Sequence, residues 1–268
     1  MEKKAKKNYV TVISNQLDKK EIYLRLNDIN FKKNPRTLFE LLEDNQSKII
    51  YFYDLLEKNK DYYKINKIYN NVINPILWQL GHINMFYIKY VINLLKKEYN
   101  KTLLFEINDS INKSFKRDDI HSVDYYDSFV TSLYLRFMYL KDIDITKLKE
   151  CYKKIILFLK NYIKYYSYEF EFVMNNIDNY LIYLGILHND MHYEGLLFTS
   201  NYLGFTKPSN LKFYEEYYYS SIYNDKRTFN KTIENKWINI KGGYFLQGFT
   251  NEKQNKNIHF DNEQPQFK

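Results

Sequence analysis

Apolar residues recur three and four positions apart along four stretches of this 268-residue chain, and each stretch predicts a helix. The first follows Asn34-Pro35, with Leu38, Leu41, Leu42, Ile49, Phe52, Leu55 and Leu56 at helical spacing to about Glu57. Pro35 suits the first turn of such a helix, where no backbone N–H is needed. A polar connection, 58–73, precedes a second helix. Asn74-Pro75 reads there as a cap followed by a first-turn proline, and the helix runs through Trp78, His82, Phe86 and Ile88 to about Lys97. The third covers 146–165, on Leu148, Cys151, Ile155, Ile156 and Leu159. The fourth covers 177–202, on Leu181, Leu184, Ile186, Leu187, Met191 and Leu196, with Gly204 and Pro208 beyond as stop signals.

Other stretches carry weaker patterns. Residues 1–34 are polar with brief alternation at 9–13 and 22–26, which suggests a loosely ordered arm. Residues 101–145 have no clear phase, and 125–140 fits an amphipathic helix or an extended loop. From Trp237 the character changes. Three of the seven glycines fall within 242–248, behind Trp237-Ile238-Asn239-Ile240, and this reads as strand, Gly-Gly turn and strand. The polar stretch 223–236 is the linker to it. The expected architecture is mainly α: a four-helix domain over 35–222, then the irregular, β-containing opening of a second domain over 237–268.

Composition narrows the function classes. Tyr (29) and Phe (19) are abundant while Gly (7) and Pro (4) are scarce, a skew expected of an AT-rich gene. The net charge of +8 is spread through every segment, often beside Asp or Glu, so it makes a solvated surface and no nucleic-acid footprint. No stretch is long and apolar enough to span a membrane, and no signal peptide is visible. Cys151 is the single cysteine, so no internal disulfide forms, which fits a reducing, cytoplasmic setting. Its apolar helical surroundings predict a buried, unreactive thiol.

The histidines carry the chemistry. The chain has five: His82, His121, His188, His192 and His259. His188 and His192 are four apart in His188-Asn189-Asp190-Met191-His192-Tyr193-Glu194, so a helix projects them from one face. Zinc peptidases use this spacing with Glu directly after the first His; Asn189 stands there instead, which argues against a protease. His82 follows Gly81, which permits close helix approach, and lies one turn from both Trp78 and Phe86. A buried imidazole in that aromatic setting needs a partner, and a metal ion is one. His82, His188 and His192 together would make a three-histidine metal site with open positions. Glu194 points about 200° away from His192 and is not a ligand. His121 and His259 read as surface residues.

In order and at sensible spacing, these pieces resemble the sulfoxide synthases of ergothioneine and ovothiol biosynthesis and the related selenoneine synthase. Asn74-Pro75-Ile76-Leu77-Trp78-Gln79-Leu80-Gly81-His82 is similar to the family's N-P-x-x-W-x-x-G-H segment. The stretch 187–194, continuing to Gly204 and Pro208, resembles its H-x-x-M-H-x-E helix. Tyr126-Asp127-Ser128 with Arg136-Phe137 resembles the Y-D-S…R-W loop, which would make 125–140 more loop than helix. Trp237–Phe245 and Phe260-Asp261-Asn262-Glu263-Gln264-Pro265 look like the first strand and the D-N-E-x-P element of a formylglycine-generating-enzyme-like domain. Departures are Asn189 for a frequent Glu, Phe137 for Trp, and Leu133 near the place of a loop histidine.

The resemblance implies a DinB-like four-helix bundle holding Fe(II) on His82, His188 and His192. It implies O2-dependent C–S (or C–Se) bond formation between a small-molecule thiol and a histidine derivative, histidine or trimethylhistidine. Arg136 is the candidate anchor for a substrate carboxylate. The second domain has barely begun at Lys268, so the remaining portion is expected on another chain or missing, and turnover by this chain alone is expected to be weak. Two other readings stay open: a non-catalytic metal-binding relic or split-gene half, and a zinc-dependent thiol transferase on the same scaffold.

Overall fold

A computed structural model describes residues 33–58, 72–95, 99–168, 174, 176–203, 239 and 241–244. The described chain is mainly helical. Its α-helices are α1 (Pro35–Lys58), α2 (Ile76–Phe86), α3 (Lys101–Asn112), α4 (Ser122–Tyr125), α5 (Leu133–Met138), α6 (Ile145–Tyr166) and α7 (Asn176–Tyr202). No strand occurs among the described residues; a single bridge, Phe115 to Ile143, closes the α3–α6 connection. The helix bounds expected for α1, α6 and α7 agree to within a residue or two.

Local chemistry accounts for these ends. The Asn34 side chain accepts from the Arg36 N–H at 2.9 Å, capping α1 just ahead of Pro35. Asp144 caps α6 by accepting from the Lys147 N–H at 3.1 Å. Asn100 sits in the left-handed region (φ 44°) and caps α3 by accepting from the Leu103 N–H at 3.0 Å.

The structure departs from the sequence pattern at four points. Residues 101–112, which have no clear phase in the sequence, form α3. The second helix does not run on as α-helix to Lys97: after Phe86 it widens into a π-turn, Tyr87–Val91, then tightens to a 3-10 turn, Ile92–Leu94. Asn74 does not cap it either; the side chain of Asn74 accepts from Arg136, and Pro75 occupies the position before the first helical residue. Residues 125–140 are not one helix: α4 ends at Tyr125, a looped turn covers 126–132, and α5 follows at Leu133–Met138.

α6 packs against α1, α2 and α3. Its buried stripe is Leu148, Cys151, Tyr152, Ile155, Ile156, Phe158, Leu159, Tyr162 and Ile163. Each fully buried Leu or Ile of this stripe contributes about 1.5–3 kcal/mol. α7 joins through polar contacts as well. Asn45 of α1 donates to the Ile186 carbonyl at 3.2 Å, and Tyr152 of α6 donates to the Asn189 side chain at 3.0 Å. Asn189 is therefore a core residue whose side chain faces α6.

Cys151 is fully buried, its sulfur 3.6 Å from the Ile107 carbonyl, and burial pushes the thiol pKa up. A thiol reagent is expected to leave it unlabelled under native conditions and to label it on denaturation. Rapid native labelling would contradict this placement.

The chain divides into two units, the first of which reaches to Thr199. In the second, Asn239 and residues 241–244 have no regular secondary structure. The expected arm 1–32, the linker 223–236, most of the strand–turn–strand segment, the D-N-E-x-P element and His259 lie outside the described residues. No described helix is long and apolar enough to cross a membrane.

Candidate metal centre

α2 and α7 bring the three histidines together. Among the described residues, His82, His188 and His192 form the one group of His, Cys, Asp or Glu side chains close enough to share an ion, with ligand atoms within 4.8 Å of one another. The ring centroids of His188 and His192 are 4.5 Å apart, and His82 lies 5.3 Å and 4.8 Å from them. The Nε2 atoms of His188 and His192 are 3.2 Å apart. Two imidazole nitrogens bound about 2.1 Å from one ion at right or tetrahedral angles would be about 3.0–3.4 Å apart. That pair already has the separation of ligands, and His82 must close by at most about 1.8 Å.

Each ring is positioned by its neighbours. Trp78 stacks on His82 with centroids 4.9 Å apart at 13°, and Phe86 stacks on His188 at 3.6 Å and 8°. Gly81 lets the Tyr126 ring press against α2; a Cβ at Gly81 would meet that ring at 2.1 Å. The Tyr126 carbonyl then accepts from His82 Nδ1 at 2.8 Å, and the adjacent Tyr125 carbonyl accepts from Trp78 Nε1 at 2.9 Å. A donor at His82 Nδ1 leaves the Nε2 lone pair for a metal, the usual way a carbonyl orients a ligand imidazole. Gln79 Oε1 lies 3.4 Å from His192 Nδ1 and does the same there. His188 Nδ1 is buried with no hydrogen-bond partner.

Burial lowers the pKa of all three imidazoles, and repulsion from neighbouring histidines adds to this at His188 and His192. Burial lowers the His82 pKa below the ordinary imidazole value, against the opposing Tyr126 hydrogen bond. Burial, then the neighbouring His192 and His82, push His188 far down. Burial, then His82, bring His192 to about 3. Neutral imidazoles with free Nε2 lone pairs are what a divalent metal requires. His82 and His188 are buried and His192 is half-buried. The donor set fits iron(II) or zinc with positions left for reactants.

Arg136 has a demanding set of contacts. Its guanidinium donates from Nε to the Thr131 carbonyl at 3.0 Å, from Nη1 to Asn74 Oδ1 at 2.7 Å, and from Nη2 to the Ser128 carbonyl at 2.9 Å. It also lies 4.3 Å over the Trp78 ring, on the aromatic that carries His82. Arg136 thus ties the 125–140 loop to the start of α2. Asp127 in the same loop is buried and pairs with Lys89 at 2.5 Å. His121 is exposed, as expected, and Glu194 is exposed too.

Two contributors had no role in the sequence reading. Gln79 is buried in the motif helix one turn before His82, and an amide at such a position is a readable sign of an internal partner. The Tyr126 carbonyl is backbone, and no residue type announces it.

No family model matches the chain, and no curated protein matches it. What the chain does is therefore read from these side chains.

Proposed function

We propose that the chain is a DinB-like helical protein that holds iron(II) on His82, His188 and His192. Its activity on this reading is O2-dependent joining of a small-molecule thiol, or selenol, to the imidazole of histidine or trimethylhistidine. The convergence of the three imidazoles, with Nε2 of two of them 3.2 Å apart, carries the reading. The order of the sequence motifs supports the choice of reaction. One O2 balances it: C–H and S–H become a C–S bond, one oxygen goes to sulfur as the sulfoxide, and the other leaves as water. Bound iron would supply the O2 chemistry. The chain's own residues orient the ligands through Tyr126 and Gln79, and Trp78 and Phe86 cover one side of the imidazoles against water.

A second reading has its own observation. Arg136, the expected carboxylate anchor, has Nε, Nη1 and Nη2 each engaged within the chain. This favours a metal-holding module whose substrate contacts come from a further segment or a partner chain.

Anaerobic loading with iron(II), then O2, a thiol and a histidine derivative, separates the readings. The expected result is O2 uptake that needs all three components, with a sulfoxide product by mass spectrometry. Metal retention without O2 uptake would favour the module. Thiol transfer with zinc in place of iron would favour a transferase on the same site.

A further inference from the structure

We infer that Gln79 is a positioning residue of the metal centre: its amide oxygen holds His192 as the Nδ1–H tautomer and so turns Nε2 toward the ion. This deepens the three-histidine reading and rests on it. The direction of the hydrogen bonds follows from what each group is able to do. The Asn74 carbonyl only accepts, so Gln79 Nε2, 3.3 Å away, donates to it. That leaves Oε1, an acceptor, facing His192 Nδ1 at 3.4 Å. Nδ1 then carries the proton and Nε2 the lone pair. The reversed amide would set two acceptors face to face at Asn74.

The relay is built into the packing. Gln79 is 3% exposed, so bulk water does not compete for its amide. Asn74 is itself fixed, because its Oδ1 accepts from Arg136 Nη1 at 2.7 Å. On the α7 side Gly195 faces Gln79, and a Cβ there would lie 3.7 Å from Oε1, in ordinary contact. The same Arg136 lies over Trp78, which stacks on His82. One guanidinium therefore supports two ligands, His82 through a ring stack and His192 through two amides. The 3.4 Å contact is long. A metal drawing density from Nε2 makes Nδ1–H a better donor, which shortens such a contact.

The test uses the full chain, labelled with 15N-histidine and loaded with zinc as a diamagnetic probe. In the native protein, protected Nδ1–H signals are expected from both His82 and His192. Gln79→Leu should remove the His192 signal alone and weaken zinc binding about 10–100-fold, the usual effect of losing such a partner. The His82 signal reports that the variant remains folded. Gln79→Glu supplies a stronger acceptor, so it should keep the His192 signal and move it downfield. An unchanged His192 signal and unchanged affinity in Gln79→Leu would overturn the inference. So would His192 carrying its proton on Nε2 in the native protein. A native chain that binds no zinc would instead overturn the three-histidine reading itself.

Discussion

His188→Ala is expected to lower divalent-metal affinity by more than about 100-fold, since loss of a mere supporting partner already costs 10–100-fold. The substitution removes one of three ligands, and the remaining pair, His82 and His192, keep only two nitrogens for the ion. The effect should be separable from folding. In the metal-free chain His188 contributes a ring stack on Phe86, worth about 0.5–1.5 kcal/mol. Against this stands its buried, unpartnered Nδ1, an unsatisfied group that costs about 1–3 kcal/mol. Removing the buried ring also leaves a cavity and ends its contact with His192, so the apo thermal midpoint should fall modestly while metal binding collapses. Chelator competition with zinc measures the affinity, and thermal unfolding without metal measures the rest. His121→Ala, at an exposed residue, serves as the control and should change neither. Native affinity in His188→Ala would remove this residue from the site.

How much of this was legible in the sequence depends on where each signal resides. The pair His188/His192 was legible because helical spacing alone places both on one face. Their meeting with His82 is a tertiary event, and Gly81 was its sequence trace: only a residue without Cβ admits the Tyr126 ring so close. α2 is buried on nearly every side, so its apolar residues carry no phase, and nothing marks where α gives way to the π-turn after Phe86. α3 was obscured for the opposite reason. Its buried side is Leu103, Ile107, Ser110 and Ile111, and Phe105 among them is 73% exposed. The Asn100 cap was the available clue. Asn74-Pro75 has the form of a helix start, but the start of α2 lies beside Arg136, and the Asn74 side chain pairs with that guanidinium instead of the helix N–H groups. Tertiary partners outcompete a local cap where they bring charge.

Gly81→Ala is expected to destabilise the chain and loosen the metal centre together. Alanine is the better helix former, by about 1 kcal/mol. Sterics oppose this and prevail. The new Cβ would sit 2.1 Å from two carbons of the Tyr126 ring and 2.6 Å from a third. That ring is fully buried, so it has no open space to swing into, and overpacking of this kind costs about 1–3 kcal/mol or more. Displacing Tyr126 also moves the carbonyl that accepts from His82 Nδ1 at 2.8 Å. Two other glycines isolate the mechanism. Gly185→Ala brings a Cβ 2.5 Å from the buried Tyr87 ring, so it should lower the thermal midpoint too. Tyr87 lends no carbonyl to a described histidine, and zinc affinity of the folded protein should stay closer to native. Gly195→Ala meets Gln79 only at 3.7 Å and should gain the helix preference without a clash. The expected order of thermal midpoints is Gly195→Ala above native, with Gly81→Ala and Gly185→Ala below. The expected loss of zinc affinity is largest for Gly81→Ala. A Gly81→Ala protein as stable as native, with native zinc affinity, would show that Tyr126 yields freely and does not hold His82 in place.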